Sequence, residues 1–188
     1  MAILIGLPTW YCIGILITFS KEFGTKMNIQ GAIDPGKSVM YSYAAISFGG
    51  IIIGFVSQWL QSRKKALYIY YVLTAISIAV FFNLQNSSTG MLYFACALLG
   101  FSTSFWSMFV TMAAEQFGTN IRATAATTVP NMVRGSLPLV ALLFTSLQGS
   151  FDYLTSGWIT GVVVMLIAVI ALYNTEETYN KDLNYLEE

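Results

Sequence analysis

The sequence contains no histidine and only two cysteines, and these shortages exclude several kinds of chemistry. Without histidine, the chain lacks the side chain that most often relays protons near neutral pH and binds metals. Cys12 and Cys96 lie inside apolar runs and form neither a disulfide framework nor a metal-spaced pair, so we interpret them as small buried hydrophobes. The sequence therefore predicts no cofactor and no metal site.

Charge is scarce as well, and neither sign is in excess. Charged residues make up 10% of the chain, against about 25% in a soluble domain, and nine basic residues balance nine acidic ones. The chain offers no basic surface for nucleic acid, which we do not expect as a partner. It also lacks HExxH, CxxC and GxSxG sequences, so we expect no enzyme. We also expect no GxxxxGK[ST] phosphate-binding loop, and hence no ATP-driven activity. No basic leader or cleavage site accompanies the first apolar run, so a signal peptide is not expected.

Long apolar runs are what the chain has in quantity. Hydrophobic residues make up 56% of it, and six runs are long enough for a helix to cross about 30 Å of hydrocarbon at about 1.5 Å per residue. None of them alternates apolar and polar residues as a membrane β-strand does. The sequence therefore predicts an all-α membrane protein with six transmembrane helices in residues 1–173 and a tail in residues 174–188. The six segments are about 2–20, 39–60, 66–84, 91–114, 123–147 and 154–173.

The basic residues predict how these segments are oriented. Three of them crowd the link 61–65, and another lies in the link 115–122 on the same side of the bundle. The opposite links, 83–90 and 148–153, carry no lysine or arginine. By the positive-inside rule, the links 61–65 and 115–122 and the C-terminal tail are predicted to be cytoplasmic. The protein is expected to be a multi-pass protein of the cell (inner) membrane. The three lysines of the link 21–37 argue against this orientation.

The six segments differ in polarity, and this predicts where each one lies. The third and sixth are almost entirely apolar, so we expect them to face lipid. The first, second, fourth and fifth carry polar and small residues and are expected to line an interior, with Gly50 and Gly54 allowing a close helix contact. Peripheral helices in the third and sixth places indicate two three-helix repeats, a pattern found in secondary transporters.

Arg134 lies at the centre of the fifth segment, where a guanidinium costs at least about 2.5–3.5 kcal/mol to insert. It must therefore face a bundle interior or a wet cavity. Asn131 and Thr127 share its helical face, and Pro130 and Pro138 bracket it and indicate a broken helix.

No carboxylate of the chain lies at matching depth, so the partner of Arg134 is expected to be a ligand, water or protein outside this chain. Arg134 and Asn131 are therefore predicted to bind an anionic or hydroxyl-rich solute. The structural alternative pairs Arg134 with helix carbonyls or with a carboxylate of another helix. Trp106 and Tyr11 are candidates to stack on the solute, although aromatic residues in membrane helices also pack against one another.

Three stretches resemble the C-terminal half of a major facilitator superfamily transporter, nearest its sugar-porter-like branch. The stretch from Glu115, EQFGTNIRAT, is similar to the family signature E-x-F-P/G-T-x-x-R-G/A. The stretch from Glu177, ETYNKDL, is similar to the family motif P-E-T-K-G-R-x-L. The stretch from Gly54, GFVSQWLQSRKK, is similar to the family loop motif G-x-L-A-D-R-x-G-R-R. Gln58 replaces the family's Asp in the third motif. The first segment also lacks the branch's Gln-Gln and Asn/Tyr pattern, which argues against a hexose.

The resemblance implies half of a twelve-helix bundle that moves a small polar or anionic solute by alternating access. Its partners would be the lipid bilayer and the N-terminal six-helix half, or a second copy of the chain. The expected cytoplasmic gate consists of Glu115, Arg122, Gln58 and Arg63. Two alternatives remain: a self-contained six-helix protein that homodimerises into a facilitator or pore, and a non-transporting fragment or membrane-interaction protein.

Overall fold

The computed structural model describes residues 2–181, and this part of the chain is helical with no strand. The all-α prediction is therefore confirmed, while the tail prediction for residues 182–188 lies outside the described residues. A π-helix, Cys12–Ile17, follows α2. The α-helices are α1 (Ala2–Ile5), α2 (Leu7–Tyr11), α3 (Ser20–Lys26), α4 (Pro35–Leu60), α5 (Arg63–Phe82), α6 (Thr89–Thr103), α7 (Phe105–Glu115), α8 (Arg122–Gly135), α9 (Leu137–Leu147) and α10 (Tyr153–Tyr173).

Four helical stretches are long and apolar enough to cross a membrane: α4, α5, α6 together with α7, and α10. They coincide with the second, third, fourth and sixth predicted segments. Each begins at a side chain that accepts a hydrogen bond from the first helical turn and so satisfies a free backbone N–H. These capping residues are Asp34, Ser62, Ser88 and Asp152.

The first and fifth segments are interrupted helices. In the first, Gly6 separates α1 from α2, Pro8 occupies the first turn of α2, and the π-helix follows. In the fifth, α8 and α9 meet at Ser136, with Pro138 in the first turn of α9. A proline removes a backbone donor and crowds the preceding turn, which explains breaks at these positions. The predicted break is therefore present after Arg134, at Ser136, whereas Pro130, the other predicted bracket, lies inside α8 without interrupting it.

Two apolar clusters form the core. In one, Phe23 of α3 lies among aromatic rings of α5, α9 and α10, with its ring centroid 4.6 Å from that of Tyr153. The other joins α1, α5, α7 and α8 to the end of α10, around Tyr71 and Phe105. The interrupted segments thus pack into the bundle with the long helices.

The closest helix contact joins α4 and α6. A Cβ on Gly100 would overlap the backbone of Ser42, so only glycine fits there. The Ser42 hydroxyl also donates to the Cys96 carbonyl at 3.1 Å. On α4 the tight position is Gly49, where a Cβ would overlap Ser104. Of the predicted Gly50–Gly54 pair, a Cβ on Gly50 would meet the Ser107 hydroxyl at 3.4 Å and one on Gly54 would meet nothing within 4 Å, so the closest approach is one residue before Gly50.

Exposure of the helices differs from the predicted division into peripheral and interior segments. In its most apolar stretch, 17% of α4 is buried, against 50% of α5 and 39% of α10. The third segment is buried because α5 packs against α4, α6, α7 and α10. The second, expected to be interior, instead presents Phe48, Phe55 and Trp59 on the outside of this chain.

Candidate functional site: an arginine–tryptophan pocket and a helix-end ion cluster

A pocket of about 100 Å³ lies where the first, second, fourth and fifth segments meet. These are the four segments whose polarity predicts an interior position. We call this cavity the Arg134 pocket. Its lining residues are Thr9, Trp10, Ile13, Tyr43, Ile46, Thr103, Trp106 and Arg134.

Arg134 is held at this pocket by the residues on either side of it along α8 and α9. Val129, Val133 and Val140 are buried in the core, which turns Arg134 outward, onto an exposed face shared with Asn131. Arg134 lies 12 residues after the start of α8 and 13 before the end of α9 (134 − 122 and 147 − 134), so it is midway along the fifth segment.

One tryptophan holds the guanidinium, and a second tryptophan packs against the first. Its Cζ lies 4.9 Å from the centroid of the Trp10 ring, a cation–π distance. Trp10 in turn meets Trp106 edge to face, with ring centroids 5.9 Å apart. Within residues 2–181, Arg134 makes no hydrogen bond or ion pair, so its full positive charge remains available at the pocket.

Two polar atoms of the lining are buried without a hydrogen-bond partner in the described residues, the Thr9 hydroxyl and the Trp10 indole nitrogen. Thr9 is 2% exposed. A buried polar group left unpaired costs about 1–3 kcal/mol. By contrast, the hydroxyl of Thr103, also in the lining, donates to the Leu99 carbonyl at 2.7 Å. The pocket therefore combines one cation and two unpaired polar groups with a mainly apolar wall, and none of its lining residues is acidic.

The four sequence-predicted solute residues divide between the pocket and its surroundings. Arg134 and Trp106 line the pocket, and Asn131 lies beside it on the exposed face, donating to the Thr127 carbonyl at 2.9 Å. Tyr11, in contrast, is fully buried in the core, and its hydroxyl donates to the Gly157 carbonyl at 2.6 Å. Its neighbour Trp10 takes the position at the pocket. Both residues are aromatic, so composition alone does not separate them.

A second polar site, which we call the helix-end cluster, lies where α5 begins and α7 ends. Arg63 donates from Nη2 to Glu115 Oε1 at 3.0 Å and from Nε to Oε2 at 3.4 Å, a two-point ion pair. The Thr178 hydroxyl donates to the same carboxylate at 2.6 Å. Arg63 Nη1 also donates to the Ser57 hydroxyl at 3.1 Å.

Glu177 completes this cluster from the segment after α10. Its carboxylate accepts hydrogen bonds from the backbone N–H groups of Arg63 (2.9 Å) and Lys64 (3.2 Å) and from the Ser62 hydroxyl. Partial burial raises the pKa of Glu177, but these hydrogen bonds outweigh it and the net pKa is lowered. Lys64 Nζ donates to the carbonyls of Tyr173 and Thr175 at the C-terminus of α10, where a cation is favoured.

The cluster contains two of the four predicted gate residues, Arg63 and Glu115. Gln58 is exposed, and the neighbouring Ser57 is the residue that contacts Arg63. Arg122 begins α8, and its Nε donates to the Phe117 carbonyl at 3.2 Å; its pairing with Glu115 stays a prediction. Ser62, Lys64 and Thr178 were not predicted as site residues. The motif at Glu177 is the sequence signal that marks this part of the cluster.

One string, residues 31–38, fits the GxxxxGK[ST] spacing of a phosphate-binding loop, contrary to the expectation of no such sequence. Its surroundings do not suit a phosphate. No strand precedes it in the described residues, and Pro35 has no N–H to donate. The Asp34 carboxylate already accepts from the Gly36 N–H at 2.8 Å, and Ser38 is buried against Ser20. A phosphate would meet a carboxylate at this helix start.

The fold and the two sites define the class of the protein as an α-helical one with four helices suited to crossing a membrane. Comparison of the chain with known protein families, with curated proteins and with solved structures gives no match. The resemblance to major facilitator transporters therefore rests on the three sequence motifs.

Proposed function

We propose that the chain is the C-terminal six-helix half of a secondary transporter of the major facilitator type. It carries a small polar or anionic solute across the inner membrane by alternating access, without chemical conversion of the solute. The observation that carries this proposal is the Arg134 pocket. It joins four segments midway along a broken helix and holds a cation with no hydrogen bond or ion pair among residues 2–181. Secondary transporters bind their solutes at broken helices near the membrane midplane.

The proposal includes six spans in two three-helix repeats. The interrupted first and fifth segments are the two spans added to the four long helical stretches. The exposed polar face of α8 and α9 and the exposed side of α4 are where the N-terminal half packs. The links 61–65 and 115–122 are cytoplasmic, so the helix-end cluster acts as the gate. Its Arg63–Glu115 pair closes the cytoplasmic end and separates when the transporter opens inward.

Solute uptake by the intact assembly in proteoliposomes tests this function. Labelled benzoate, phosphate and glucose are screened first, and the Arg134→Ala and Arg134→Lys variants are then compared for the solute that enters. We expect Arg134→Ala to lower uptake about 100-fold, since a charge-assisted contact to the solute is worth about 1.5–3 kcal/mol and substrate positioning adds to it. Lys37→Ala is the matched control, because Lys37 is exposed in the first turn of α4. This variant should take up the solute normally. Unchanged kinetics in both Arg134 variants would remove the pocket from the transport path.

The exposed polar face also suits the second candidate, a homodimeric facilitator, because a second copy would cover it. Thr145 lies on this face, and the native cysteines are both buried. A Thr145→Cys variant therefore carries one accessible thiol. Disulfide formation between two copies in the membrane would favour the homodimer, and its absence would favour the six-helix half. Absence of uptake for every solute tested would favour the non-transporting alternative.

A further inference from the structure

We propose that the solute of the Arg134 pocket is a small aromatic carboxylate, whose carboxylate binds Arg134 and whose ring lies against the apolar wall. This inference rests on the proposed transport function and narrows its solute from polar or anionic to one chemical class. It depends on the charge, the wall and the size of the pocket, taken in turn.

The charge of the pocket requires an anion. Arg134 is its only charged lining residue and is unpaired within residues 2–181. The guanidinium lies over the face of the Trp10 ring, and this contact leaves its N–H groups free of hydrogen bonds. A planar guanidinium can bind a planar carboxylate through two parallel hydrogen bonds. A cationic solute would be repelled, and a neutral one would leave the arginine without a counter-charge.

The wall of the pocket favours an apolar ring over a sugar or a phosphate. Ile13, Ile46 and Trp106 supply apolar and aromatic surface. A sugar or phosphate ion carries polar groups on every side, and each of them would need a partner after leaving water. The wall offers few, since the Thr103 hydroxyl is already bonded to a backbone carbonyl. An aromatic carboxylate places its polar atoms at one end only.

The unpaired polar atoms and the size of the pocket fit the same class. The Thr9 hydroxyl and the Trp10 indole N–H are buried in the lining without a partner in residues 2–181, so each can bond an oxygen of the solute once the lining opens around it. The cavity of about 100 Å³ is comparable with the apolar cavity of about 150 Å³ that binds benzene, and it opens beside the exposed Arg134. It therefore suits one six-membered ring with the carboxylate at the mouth, and excludes disaccharides and nucleotides.

Tryptophan fluorescence of the full chain in nanodiscs tests the inference without requiring transport. Trp59 and Trp158 lie outside the pocket lining, so the Trp59→Phe/Trp158→Phe background leaves only the two pocket tryptophans. We expect benzoate to quench them saturably, at a Kd at least about 10-fold below that of neutral benzamide, which has the same ring. Phosphate and glucose should give no saturable quenching.

Variants of the same background separate the carboxylate contact from the ring contact. Arg134→Gln should raise the Kd for benzoate about 10-fold or more, Arg134→Lys should raise it less, and Lys37→Gln, the exposed control, should leave it unchanged. Trp106→Leu should weaken the binding of benzoate, which has a ring, but not the binding of acetate, which has none. A melting temperature within about 3 °C of the parent's will show that each variant is folded.

The outcomes distinguish this inference from the proposed function. Equal affinity for benzamide and benzoate, or saturable binding of phosphate or glucose in place of benzoate, would overturn the aromatic carboxylate and leave transport standing. Arg134-dependent benzoate binding with no benzoate uptake by the intact assembly would keep the site but overturn its transport role. Arg134-dependent binding together with uptake supports both.

Discussion

Arg63 and Arg134 are the same residue type in two different electrostatic situations. Arg63 lies in the helix-end cluster, where its side chain is 19% exposed and contacts a carboxylate, a hydroxyl and the Tyr179 ring. Arg134 lies at a pocket, where a single ring holds it and no acidic residue faces it. A guanidinium that pairs with a carboxylate of its own chain stabilises the fold. A guanidinium that keeps its charge at a cavity is available to bind an anion from outside the chain.

Replacing each arginine by leucine gives the most direct test of this difference and the largest expected effect. Arg63→Leu should lower the free energy of unfolding by about 2 kcal/mol, because it leaves the Glu115 carboxylate, 12% exposed, without its cation. Arg134→Leu should lower it by no more than about 1 kcal/mol, since it breaks no ion pair and loses only the cation–π contact with Trp10. Denaturation of both variants in the same detergent measures the contrast. Equal losses would mean that Arg134 is also a structural residue.

Removing the charge of Glu177, the second carboxylate of the helix-end cluster, tests how much this cluster stabilises the fold. Glu177→Gln should cost about 1 kcal/mol, because the amide keeps one acceptor for the first turn of α5 but loses the charge. Glu176→Gln is the matched control: it removes the same charge one residue away, from a side chain that is 86% exposed.

The lowered pKa of Glu177 also predicts a pH dependence with a definite sign. Since the folded-state pKa lies below the unfolded value of about 4.3, the stability that Glu177 contributes is complete above about pH 5. It is lost as the pH falls through the folded-state pKa. We therefore expect the melting temperatures of the parent and Glu177→Gln to approach each other as the pH falls below about 5 and to meet only below the folded-state pKa. A difference that persists unchanged in acid would contradict a charge-based role.

The smallest expected effect concerns the pocket in its unliganded form. Thr9→Val removes a buried hydroxyl that has no partner in the described residues, so stability should stay within about 0.5 kcal/mol or rise. Thr103→Val, its matched control in the same pocket, breaks a hydrogen bond to the Leu99 carbonyl and should lower stability by about 1 kcal/mol. A larger loss for Thr9→Val would show that its hydroxyl is structurally satisfied.

The parts of the fold that the sequence predicts well are those with a strong local signal. Apolar length predicts the long helices, and Pro138 explains why the fifth segment is broken. The helix starts are predicted less well, since α4 and α5 begin after Asp34 and Ser62, a few residues before the predicted segments 39–60 and 66–84. The inward-facing valines beside Arg134 follow from the 3.6-residue period, because polar and apolar residues separate clearly on α8.

The errors have a common physical cause on α4. The sequence selects Gly50 and Gln58, but the tightest helix contact is at Gly49 and the contact with Arg63 is made by Ser57, each one position earlier. One residue is a rotation of about 100° around a helix. Since α4 has apolar side chains on most of its surface, its pattern does not indicate which face packs. The tertiary contact at Gly100 decides it.

Glu177 reaches back across 114 residues to cap α5, and this distance has a consequence for the order of assembly. During synthesis, α5 is complete long before the residue that accepts its first backbone N–H groups has been made. Arg63 and Glu115 are both made earlier, but Glu177 and Thr178 are made only after α10. The helix-end cluster can therefore be completed only after all ten α-helices of the described chain have been synthesised.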